Sequence, residues 1–101
     1  MIETLKQEAQ RLLSDVSGEY VFWVNGGRVL HNLKELGEEL KTMSDDTYLY
    51  HANGEKNDFT NWVRDVFGDA TLAASLGRAS TRAQAARAVS SRMVILSKRL
   101  A

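Results

Sequence analysis

Cysteine and proline are both missing from this 101-residue chain. Without a thiol there is no disulfide, zinc–thiolate site, iron–sulfur cluster or cysteine nucleophile. Without proline one common helix terminator is gone, so turns fall to Asn25-Gly26-Gly27, Asn53-Gly54, Gly68-Asp69 and Gly77. Long apolar runs are lacking too. The longest, Tyr20–Val24 and Met93–Leu96, fall far short of the roughly 20 residues that span a bilayer. The first residues do not read as a secretory signal, so the expected location is the cytoplasm, with no membrane partner. Only two histidines occur, His31 and His51, and the patterns HxH, HExxH, DxDxDG, GxSxG and GxGxxG are all absent. No metal and no cofactor is therefore expected, and the chain reads as a non-enzyme.

What is present suits one domain spanning 1–101. An apolar share of 44% is ordinary for a globular protein and sufficient for a single core. The zero net charge conceals a split. Residues 1–69 hold all thirteen carboxylates and seven Lys/Arg, a net of −6, whereas residues 70–101 hold six Lys/Arg and no acid. Such polarity marks either an anion-binding tail or a basic helix lying over the acidic body of its own or a second copy. The exact cancellation and the even spread of the cations favour the second reading.

Periodicity predicts a helix from Ile2 to about Asp15, with Ile2, Leu5, Ala9, Leu12, Leu13 and Val16 as its apolar stripe. Tyr20–Val24 reads as a strand covered on both faces, Asn25-Gly26-Gly27 as a hairpin turn, and Arg28–Leu30 as the return strand. Asn32 with Glu35 is a capping box for a helix carrying Leu33, Leu36, Leu40 and Met43. Thr47–His51 reads as a third strand. Phe59, Trp62, Val63, Val66 and Phe67 recur at helical spacing, Gly68 stops that helix, and Asp69 starts another to Gly77. Thr81 with Gln84 opens a final basic helix over about 81–99. The expected architecture is α+β: a small three-stranded sheet covered by helices, in the order α-β-β-α-β-α-α-α.

One stretch is unusually dense: Tyr50-His51-Ala52-Asn53, then Lys56-Asn57-Asp58-Phe59, Trp62-Val63-Arg64-Asp65-Val66, and Gly68-Asp69 running on to Leu72-Ala73. It resembles the motif YHxN…KNDFxxWIxDVxGDxxLA of an uncharacterised family of small microbial and viral domains, with Val63 where isoleucine is commoner. The resemblance covers about residues 20–76. It implies a unit found alone or appended to other modules, and no activity. Read as chemistry, Phe59, Trp62, Val66 and Leu72 are core, while Asn57, Asp58, Gly68 and Asp69 are caps and turns. Tyr50, His51, Asn53, Lys56, Arg64 and Asp65 remain as the candidate binding residues. His51 either hydrogen-bonds a loop backbone or acts as a base or ligand. The lack of a convergent partner set favours the first role.

The pair of helices around Gly68-Asp69 invites comparison with a helix-turn-helix. The second helix, Ala70–Leu76, has no Arg, Lys, Gln or Asn to read bases. Nucleic acid would then be held through phosphates by Arg78, Arg82, Arg87, Arg92 and Arg99. The last helix also spaces Val89, Met93, Leu96 and Leu100 as a seam, with Val94 and Ile95 on another side, which points to a homo-oligomer. The expected function is a non-catalytic protein-interaction module or small assembly subunit. The alternative is a nucleic-acid-associated protein that binds phosphates through its basic C-terminal helix.

Overall fold

A computed structural model describes residues 2–101. Among them the chain runs through α1 (Leu5–Leu12), a 3-10 turn (Gly18–Tyr20), β1 (Phe22–Trp23), β2 (Val29–Leu30), α2 (Leu33–Thr42) and α3 (Asp45–His51). It continues through α4 (Asp58–Trp62), a π-helical turn (Val63–Phe67), α5 (Ala70–Arg78) and α6 (Arg82–Leu100). Helices begin where side chains take orphan backbone amides. Asn32, Ser44, Asn57, Asp69 and Thr81 each accept from the N–H three residues on. Gly68, at φ 74°, closes the π-helical turn in the left-handed region that glycine adopts at no steric cost.

The sheet differs from expectation. Among the described residues it has two antiparallel strands, Phe22 opposite Leu30 and Trp23 opposite Val29, and no third. The segment expected as that strand is α3. Its residues suit a strand by composition, but Ser44 caps it, Asp45 and Asp46 sit at the positive end of its dipole, and the buried side chains are Tyr48, His51 and Ala52. That is an i, i+3, i+4 pattern, and a strand would bury alternate residues instead. The architecture is therefore helical around a two-stranded hairpin, not a sheet under a helical layer.

Two other elements are shorter than their patterns suggest. Thr4 and Gln7 form a reciprocal capping box that starts α1 at Leu5, so Ile2 stays 93% exposed and Ala9 and Leu12 carry the burial. Tyr20 lies in the 3-10 turn, its carbonyl accepting from Trp62 Nε1 at 2.7 Å. Trp23 is 74% exposed, so β1 is covered on one face only.

The core is one cluster. Leu30, Leu33, Leu36 and Leu40 meet Val89 and Leu96 where α6 crosses α2. Gly37 permits that crossing, since a methyl group there would come within 3.0 Å of Val89 Cγ1. Phe22, Tyr48 and Phe59 stack beside it, Phe59 lying 5.2 Å from Phe22 and 5.7 Å from Tyr48 between ring centroids. No described helix is long and apolar enough to cross a membrane.

Candidate functional site

His51 is the last residue of α3 and is 4% exposed. Its ring is walled by Phe22, Tyr50 and Phe59, with centroids at 5.0, 4.9 and 5.3 Å. Nδ1 lies 3.0 Å from Asp58 Oδ2, and Nε2 lies 3.0 Å from the backbone nitrogen of Asn25. The Asn25 N–H can only donate, so Nε2 must accept and Nδ1–H must donate to Asp58. One imidazole thus ties the hairpin turn to the start of α4. An Asp–His pair can work as a general base when its second nitrogen faces a substrate proton. Here that nitrogen is occupied by a backbone amide.

Asn57, Asp58 and Lys56 complete the arrangement. The loop after α3 closes through a bridge between Ala52 and Asn57 and through Asn53 N–H to Lys56 O at 2.9 Å. The Asn53 side chain donates to Leu49 O and accepts from Glu55 N–H, so its role is to brace the loop. Lys56 Nζ binds Asp58 Oδ2 at 2.9 Å and stands 5.0 Å from the centre of the Tyr50 ring, a cation–π distance. Tyr50 and Lys56 therefore present a paired aromatic and cationic surface above the buried histidine. Beside them runs a shallow groove of about 390 Å³ lined by Leu49, Asn53, Lys56, Asn57 and Ser80.

The other two sequence candidates lie apart. Arg64 and Asp65, on the π-helical turn, pair with each other at 2.8 Å, and Arg64 also reaches Asn61. Both are exposed and neither touches the His51 group. Among the described residues, no three His, Asp or Glu side chains converge to hold a metal ion.

Asp58 gives the site a pH signature. Partial burial pushes its carboxyl up, but hydrogen bonds from His51 and Lys56 outweigh this and hold its pKa below the ordinary value. A carboxyl depressed on folding adds stability that is complete above its unfolded pKa, about 3.9, and is lost as pH falls through the lower folded value. Asp58→Asn should therefore flatten the fall in stability below about pH 4. Urea midpoints measured across that range test it, and an unchanged slope would contradict it.

Three of the six basic residues in 70–101 are engaged by acids. Arg82 bonds Asp45 at 3.0 Å and the carbonyls of Leu40 and Lys41, Arg92 bonds Asp69 at 2.9 Å, and Arg99 bonds Glu8 at 2.7 Å. Each joins the basic half to an acid of residues 1–69. Arg87 and Lys98 make no ion pair among the described residues, and Arg78 makes only a 3.5 Å contact with Ser75. The Arg92–Asp69 pair is buried, with side-chain exposures of 10% and 1%, and is invisible in a reading that takes Asp69 only as a cap. The signal was present: Arg92 stands three residues after Val89 and four before Leu96, on the inward stripe of α6.

No family model, no curated protein and no solved structure matches the chain.

Proposed function

We propose that the protein is a non-catalytic interaction module that self-associates through α6. The carrying observation is the outer side of that helix, where Val94 and Ile95 are 54% and 48% exposed between the unpaired cations Arg87 and Lys98. Adjacent exposed aliphatic side chains on a long helix are the ordinary material of a helix–helix interface. An antiparallel pairing centred between Val94 and Ile95 sets these aliphatic side chains against their counterparts and Lys98 opposite Ser91. Ile95 also borders a groove of about 410 Å³ between α5 and α6, with Leu72 and Ala88 in its lining. Lys56, Tyr50 and the loop to Asn57 supply a separate polar surface for a further protein partner, with Arg64 as a second contact.

Sedimentation velocity over a wide concentration range tests the reading. The expected result is a mass that rises with concentration. Val94→Glu with Ile95→Glu should weaken the association by about a hundredfold or more, from two half-exposed aliphatic side chains per copy at roughly 1 kcal/mol each. The melting temperature should barely move. A clean monomer at high concentration would sink the proposal.

A further inference from the structure

The bond between a histidine ring nitrogen and the hairpin turn depends on that nitrogen being unprotonated. We propose that His51 is a proton-operated latch on the turn Asn25-Gly26-Gly27: protonation of Nε2 releases the Asn25 amide while Asp58 retains the ring.

The argument is geometric. Nε2 accepts the Asn25 N–H at 3.0 Å, and once protonated it becomes a second donor pointing at the first. The ring cannot turn over to escape, because Nδ1 is bonded to Asp58 and three aromatic neighbours enclose it. Asp58, on α4, is the carboxylate that faces the imidazole, and it gains a charged partner on protonation. Lys56 acts on the ring only through that carboxylate. On its own helix the ring meets Tyr50 edge-on. From β1 and the turn it meets the Phe22 ring and the Asn25 amide, neither of which titrates. The proton therefore strengthens the α4 side of the network and breaks the hairpin side.

The turn is built to let go. Gly26 has φ 70° and a methyl group there would touch nothing within 4 Å. Apart from His51, the turn is held by Gly27 N–H to Val24 O at 3.0 Å and by Val24 N–H to Arg28 O at 3.2 Å, and the Arg28 side chain just beyond it is bonded to Glu35 O and Glu38 of α2. Each strand beyond it is two residues long. Release frees the turn two residues beyond the already exposed Trp23 and leaves the Phe22 ring on its Phe59 and Trp62 neighbours. The latch does not depend on whether α6 associates.

Nuclear magnetic resonance on the full chain decides it. The His51 ring shifts and the Asn25 amide exchange are followed from about pH 7.5 to 5.5, where histidine commonly changes charge. The protection factor of Asn25 should fall about tenfold or more, the size of one lost hydrogen bond, with the midpoint of the ring titration. The Val89 amide, in the core of α6, should keep its protection. His51→Gln keeps one donor and one acceptor but does not titrate, and its Asn25 protection should not vary with pH. A ring that titrates while Asn25 stays protected would overturn the latch. So would a ring that stays neutral until global unfolding, or the same pH dependence in the glutamine variant.

Discussion

Arg92→Ala is expected to destabilise the protein by about 3–5 kcal/mol, the cost of leaving one buried charge without its partner. Asp69 is enclosed: one oxygen caps α5 by accepting Leu72 N–H at 3.0 Å, and the other receives Arg92 Nε at 2.9 Å. With Arg92 truncated, the second oxygen faces the interior between α5 and α6 with no donor. A domain of this size has about 5–15 kcal/mol in total, so the variant should lose a fifth or more of it. Urea unfolding followed by circular dichroism measures the change. Arg99→Ala makes the comparison, since its pair with Glu8 is more open to solvent and should contribute about 1 kcal/mol or less. The double variant Asp69→Asn with Arg92→Leu should recover most of the loss, because asparagine still caps α5 and no charge remains. An Arg92→Ala protein within about 1 kcal/mol of the parent would mean that Asp69 finds other partners.

Phe59→Ala should cost a similar amount, about 3–5 kcal/mol, for a different reason. Phe59 is fully buried and joins three elements: Phe22 of β1, Tyr48 and His51 of α3, and its own helix α4. Its removal leaves a cavity that rigid neighbours fill only in part. The same unfolding measurement reports it. The variant also has a local consequence, because the His51 ring loses one wall and Asn25 should exchange faster even at neutral pH. A loss below about 1.5 kcal/mol would show that the cluster repacks around the gap as it does for volume-conserving changes.

Much of this protein was legible because much of it is local. The cap side chains of α2, α4, α5 and α6 act over three residues, the Asn25-Gly26-Gly27 turn over two or three, and the stop at Gly68 over one, so the residue types alone located these features. The dense string from Tyr50 to Ala73 likewise resolved into core, caps and a turn around Phe59, Trp62, Asn57 and Gly68. Segment 45–51 was misread because Thr47, Tyr48 and Tyr50 suit a strand by type. Its state turned on a cap at Ser44 and on which side chains the rest of the fold could bury.

What the tertiary structure decided lies in contacts between residues far apart in the chain. His51 could be seen as a histidine that bonds a loop backbone, but the backbone it bonds, the Asn25 amide, is 26 residues away and carries no side-chain signal. Arg92 and Asp69 are 23 residues apart, and only the crossing of α5 and α6 turned a presumed surface cation and a helix cap into a buried pair. The sequence by itself determined a cysteine-free, charge-split chain with well-capped helices. Which cations were neutralised, which nitrogen of His51 was occupied and which apolar residues stayed in water depended on packing, because burial and long-range hydrogen bonding are properties of the assembled fold.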